Sequence, residues 1–253
     1  MKNINTQINI NVKRLLLRNK RSVIFTLIFP LFFYVLYTSI FTFPMTDEMM
    51  IAWQKDYLIS MLVYGVLMTS IITVGNALLV DHMNHFDLFV ELSPTPKWQY
   101  VLTVVLVYIP FYILLMVLLG ITALIVNQVT LTPIQWLGTI VINLLGMIPF
   151  GLIGVLVSYG GTPTVVNIVG NLLTFPLAIL GGLWWPLDYM PGFLQTIGKG
   201  LVTYQIAELN RQWIHDSIIA WDMVIGVVIW TILLAALIFV LQLLLKRREA
   251  QLI

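Results

Sequence analysis

The chain has 253 residues, 60% of them hydrophobic and 9% charged, with a mean hydropathy of +0.96. A soluble globule carries about a quarter of its residues as charges, so this composition excludes one and specifies an integral membrane protein. The absence of cysteine excludes disulfides, thiolate metal sites and cysteine nucleophiles, and the net charge of +2 comes from basic residues flanking apolar runs, which points to lipid and away from nucleic acid.

The amino end carries Lys2, Lys13, Arg14, Arg18, Lys20 and Arg21, followed by an uncharged apolar run over 23–43. A helix of that length crosses about 30 Å of hydrocarbon; the run is too long for a signal peptide and lacks its small-residue cleavage site. Upstream, Ile8, Val12, Leu15 and Leu16 share one helical face with Lys13, Arg14 and Arg18 elsewhere, as in an interfacial helix; a solvated basic tail fits the same residues. Further apolar runs cover 57–80, 100–126, 134–158, 165–185 and 223–245. The expected fold is therefore an all-α integral membrane bundle of six transmembrane helices. Pro30, Pro110, Pro149 and Pro176 fall inside the runs and are expected to kink them without breaking them, because neighbouring helices satisfy the freed carbonyls.

Orientation follows from the connections. One side holds ten Lys and Arg and the other only Lys55, Lys199 and Arg211, which places both termini in the cytosol. Trp and Tyr cluster near span ends, where amphipathic rings anchor in the headgroup layer.

The polar stretch from Asp81 to Lys97 sets Phe86, Leu88, Phe89, Val90 and Leu92 among Asp87 and Glu91. Apolar knobs with charged flanks suit a socket in a soluble partner; a membrane-surface helix is the other reading, against which its acidity beside an anionic leaflet speaks. The chain has no GxxxxGK[ST], HExxH, GxSxG or helix-opening GxGxxG, so no cofactor, nucleotide site or catalytic residue is expected in it. His82, His85 and His215 lack a third placed ligand for a metal. The spans contain no Asp, Glu, Lys, Arg or His, which argues against a self-sufficient proton-driven carrier. Their asparagines are Asn76, Asn143, Asn167 and Asn171. Asn167 and Asn171 share a helical face and are able to bond across a helix interface or to line a substrate path. Between spans five and six, 186–221 reads as two short helical pieces broken at Gly198 and Gly200. Too apolar for water and too short to span twice, it is expected to form a re-entrant hairpin in the outer leaflet.

Two patches carry a family resemblance. In SPTPKWQYVL, Pro94, Lys97, Trp98 and Tyr100 form a proline–basic–aromatic entry to span three; in the stretch ending span five, Gly181, Gly182, Trp185, Pro186, Pro191 and Tyr204 form a small pair, aromatic–proline, second proline and closing tyrosine. With six spans and inside termini, the chain resembles the permease subunits of type-2 ABC exporters, in the drug and antimicrobial-peptide branch. It departs from the family pattern at NHFDLFVEL, where an acidic–basic–Gly–Thr cluster is usual, and at Val202-Thr203, where a proline is usual.

The resemblance implies one transmembrane domain over 1–253 in a bacterial plasma membrane, and a homodimer of such chains. Each would dock a separate ATPase, two copies in all, which binds the ATP and magnesium. The docking set is a cytosolic coupling helix with Phe86, Asp87, Phe89, Glu91, Leu92 and Pro94, joined by Gly160 and Gly161 in the next cytosolic turn. Asn76, Asn167, Asn171, Phe175, Trp184 and Trp185 are the expected substrate path or dimer seam, for a drug, antimicrobial peptide or amphipathic lipid-like cargo. The rival function is a non-transporting membrane sensor or assembly module on the same bundle.

Overall fold

The computed structural model describes residues 20–40, 46–84 and 97–250, and among them every regular element is helical. In chain order these are α1 (Lys20–Val35), continued by a π-helical turn at Leu36–Ile40; α2 (Asp47–Met68), joined through a π-helical segment at Thr69–Thr73 to α3 (Val74–Met83); α4 (Lys97–Val107); α5 (Ile109–Asn127); α6 (Pro133–Ser158); and α7 (Pro163–Leu180). A 3-10 turn (Leu187–Tyr189) leads to α8 (Gly192–Gly200), α9 (Val202–Asp216) and α10 (Trp221–Ala250).

The continuous α2–α3 rod is the centre of the bundle. It is 37 residues long, and 94% of its most apolar window is buried against α1, α5, α6, α7 and α9. It starts ten residues before the expected span at 57–80. Thr46, extended at φ −69° and ψ 157°, accepts from the Met49 amide, and Asp47 and Glu48 occupy the first turn; a capping hydroxyl and two acids at the positive end of the helix dipole stabilise that start. By contrast α10, with 11% of its window buried, lies on the outside against α6 and α9.

The tightest crossing lies where α6 meets the π-helical segment. A side chain on Gly154 would collide with the Ser70 carbonyl oxygen, and one on Gly75 would come within 3.1 Å of the Gly154 carbonyl oxygen. Two glycines thus let backbone touch backbone, the small-residue contact that replaces hydrophobic driving force between helices in lipid. Elsewhere several hydroxyl side chains serve their own helices. Thr38, Thr69, Thr122 and Thr231 donate to the carbonyl four residues back, as suits a medium without water.

Among the described residues five stretches are long and apolar enough to cross a membrane: Asp47–Met83, Leu102–Asn127, Pro133–Ser158, Pro163–Leu180 and Trp221–Leu245. The run expected over 23–43 contributes a shorter apolar helix, Thr26–Ile40, within the described residues. Helices run through Pro30, Pro149 and Pro176 as expected. At Pro110 the outcome differs: the expected single helix is interrupted at Tyr108 and resumes with Pro110 in the first turn of α5, the helical position where a missing N–H costs least. The interfacial helix expected over 8–18 lies outside the described residues. The connection after α7 forms two helical pieces, but Gly198 and Gly200 end α8 and the break falls at Leu201, extended at φ −78° and ψ 143°. Gly198 is needed there because a Cβ would strike the Leu180 carbonyl oxygen at the end of α7.

Candidate functional site

Helix α7 begins at Thr162, whose hydroxyl accepts from the Val165 amide, with Pro163 in the first turn. Its buried residues are Val166, Gly170, Thr174 and Ala178, a spacing of four that turns one narrow stripe of mostly small side chains to the bundle. Ile168, Leu172 and Ile179 stand exposed on other faces. Asn76 on α3 donates to the Asn167 side-chain oxygen at 2.8 Å and to its own Ile72 carbonyl at 2.9 Å, so Asn167 does bond across an interface. Asn171 instead donates to the Asn167 carbonyl at 2.8 Å, within its own helix. Asn143 donates to Asn210 on α9 at 3.2 Å, and both side chains are fully buried.

Phe175 belongs to a second group. Its ring meets Trp184 edge-on at 5.5 Å, and Trp184 stacks on Phe33 of α1 at 5.0 Å and meets Tyr64 of α2 at 5.5 Å. The cluster ties the end of α7 to the first two helices. Trp185 faces outward, 46% exposed. Eight residues, about 12 Å of helix rise, separate Asn167 from Phe175. The six expected path residues therefore form an amide group at one end of α7 and an aromatic group at the other.

Beyond the aromatic group lies a cavity of about 200 Å³ between the start of α2, the 182–188 connection and α9. Gly182 turns the chain with φ +71°, a conformation open to glycine at no steric cost, and its carbonyl accepts from the Arg211 guanidinium at 3.2 Å. Arg211 also donates to the Ser60 hydroxyl at 3.1 Å and lies 3.7 Å from Glu208. Thr203 donates to the Leu177 carbonyl at 2.8 Å, tying the start of α9 to the end of α7. Asp56 pairs with His215 at 2.8 Å. Arg211, Ser60, Thr203 and Asn210 were not among the expected site residues. Their one sequence signal is Arg211 itself, a cation in a mostly apolar connection.

At the opposite end, α3 continues through Asp81, a buried carboxylate that accepts from the Tyr100 hydroxyl of α4. This clasp closes the two ends of the 85–96 connection. The expected coupling residues Phe86, Asp87, Phe89, Glu91, Leu92 and Pro94 lie outside the described residues. Gly160 and Gly161 are exposed in the turn between α6 and α7, Gly161 at φ +77°. Beside them the Tyr159 hydroxyl accepts from Gln242 of α10 at 3.1 Å. Among the described residues no three His, Asp or Glu side chains gather as a metal site would require.

Residues 6–211 match the family described as ABC-2 type transporter. The chain belongs to that family. It is 29% identical over 210 residues to the Bacillus subtilis (strain 168) protein named "Putative transport permease YvfS", an alignment covering 83% of this chain and 81% of the relative. No solved structure matches. Family membership and the five long apolar helices make this a multi-pass membrane protein, a membrane subunit of a transporter that works with an ABC ATPase subunit. The match runs through Arg211, so it takes in both resemblance patches and the cavity beside α9.

Proposed function

We propose that the chain is the permease of an ATP-driven exporter, one transmembrane unit over 1–253 that crosses a bacterial plasma membrane six times with both termini cytosolic. Two copies pair along α7, and each docks a separate ATPase, which holds the ATP and magnesium. Docking uses Phe86, Asp87, Phe89, Glu91, Leu92 and Pro94, with the Gly160–Gly161 turn alongside. The orientation rests on the ten-to-three imbalance of basic residues. A loop pushed by closure of the ATPases would move α3 and α4 together, because Asp81 and Tyr100 clasp its two ends.

The observation that carries this reading is the two-faced character of α7: a narrow small-residue stripe on the bundle, and apolar side chains elsewhere beside Asn167, Asn171 and Phe175. A surface that mixes amides, rings and aliphatic groups suits a cargo with both polar and apolar parts, such as a drug, an antimicrobial peptide or an amphipathic lipid-like molecule. Cysteine at Asn171 or Phe175 should cross-link to its twin in at least one nucleotide state. If neither ever does, α7 is ordinary bundle packing and the path lies elsewhere.

A further inference from the structure

The cavity at the α8–α9 end is unlike the rest of the molecule. Its wall combines the rings of Trp53, Trp185 and Tyr204 with the carboxylates of Asp56, Asp188 and Glu208. Arg211 is the one Lys or Arg in that wall, and its guanidinium is engaged with Ser60, Gly182 and Glu208. Asp56 faces His215, and Glu208 also accepts from Gln212 at 3.1 Å. Asp188, exposed on its 3-10 turn, has no side-chain partner among the described residues. Burial, reinforced by Glu208, Asp188 and Asp222 and opposed by Arg211, raises the Tyr204 phenol above its ordinary pKa, in keeping with a negative local field. Tyr57, only 2% exposed, also lines the cavity, and its hydroxyl has no hydrogen-bond partner.

Electron-rich ring faces attract cations, more strongly as water is excluded, and carboxylates at the mouth of a cleft focus the same attraction. We propose that this cavity recognises an organic cation, a substituted ammonium group seated among Trp53, Trp185 and Tyr204 and balanced by Asp188 and Glu208. The inference rests on the proposed orientation only for the statement that the cavity opens outward. The ammonium could belong to a dissolved cation or to a lipid headgroup, since either presents the same chemistry.

The test uses choline chloride as probe and 3,3-dimethylbutan-1-ol, its uncharged carbon analogue, as control. Saturation-transfer NMR on the purified chain in dodecyl maltoside should show saturable transfer to the choline methyl protons and none to the analogue. Asp188→Asn and Trp185→Leu should each weaken choline about five- to thirtyfold. Both side chains are exposed and outside the α-helices, and an unchanged gel-filtration profile checks the fold. Phosphatidylethanolamine nanodiscs that suppress the signal, relative to phosphatidylglycerol discs, would assign the site to a headgroup; equal signals would assign it to a dissolved cation. Equal binding of choline and its analogue, no saturable binding up to 100 mM, or wild-type affinity in both variants would overturn the proposal. Because binding is read in detergent, this failure is separable from an error in orientation, which labelling of intact cells reports.

Discussion

A graded glycine series tests the crossing of α6 on the α2–α3 rod. An alanine methyl at Gly154 would sit well inside contact distance of the Ser70 carbonyl oxygen and 3.3 Å from its carbonyl carbon. Ordinary carbon–oxygen contacts fall at about 3.3–3.6 Å, so the helices must separate by about 1 Å. The obstructing atoms are backbone, and no rotamer relieves them. Overpacking of this kind costs about 1–3 kcal/mol, against a helix-propensity gain of up to about 1 kcal/mol for replacing glycine by alanine. At Gly75 the methyl would lie 3.1 Å from the Gly154 carbonyl oxygen, needing a shift of a few tenths of an ångström, and the two effects should nearly cancel. At Gly170 the nearest atom is Ile72 Cγ1 at 3.5 Å, an ordinary contact, so the propensity gain should stand alone. Thermal unfolding in detergent should therefore rank Gly170→Ala above wild type, Gly75→Ala near it and Gly154→Ala below it. At about 2–4 °C per kcal/mol for a chain of this size, Gly154→Ala should lower the midpoint by several degrees. Gly154→Ala as stable as Gly170→Ala would refute the backbone-to-backbone crossing.

Four further outcomes are expected. Phe89→Asp should abolish co-purification with the ATPase while leaving the permease folded; an undiminished complex would move docking to the amino end or the Gly160–Gly161 turn. Asn171→Leu should alter transport without affecting ATPase assembly, and normal transport would remove Asn171 from the path. Asn143→Leu leaves the buried Asn210 oxygen without its donor and should cost about 1–3 kcal/mol, with a coupling of about 0.6–1.7 kcal/mol in the double-mutant cycle with Asn210→Leu; additive effects would refute the pair. Cysteines at Thr46, Gln128 and Gly192, all exposed, should react with an impermeant reagent outside cells, and one at Asn84 should not; labelling at Asn84 would reverse the orientation.

Much of the helical plan is legible from apolar runs alone, because in a membrane span length and hydrophobicity are set by the solvent. The predicted limits of 134–158 lie within a residue or two of Pro133–Ser158, since Pro133 and the Tyr159–Gly161 turn punctuate both ends. The start of α2 was less apparent because Asp47, Glu48, Lys55 and Asp56 resemble a polar loop, although Thr46 followed by two acids is itself a helix-start signal. The break at Tyr108 has no comparable mark besides Pro110. The cavity between α2 and α9 is not legible in the sequence. Arg211 meets Ser60 across 151 positions of sequence and Asp56 meets His215 across 159, and no local pattern encodes such pairings. The asparagines divide the same way: composition announces them, but only packing decides that Asn167 reaches another helix while Asn171 bonds to its own.

The length of the α2–α3 rod has a mechanical consequence. Its 37 residues span about 55 Å at 1.5 Å per residue, more than the hydrocarbon thickness of about 30 Å. One helical strut therefore carries Asp81 near one tip and Trp53 and Asp56 near the other, with no intervening loop to absorb displacement. A thrust received beside the Asp81–Tyr100 clasp would arrive at the far cavity as movement of the wall that carries Trp53 and Asp56. The π-helical segment, held against Gly154, would be the point about which such a thrust becomes tilt. Widening or narrowing of that cavity would then be set by the angle of a single lever.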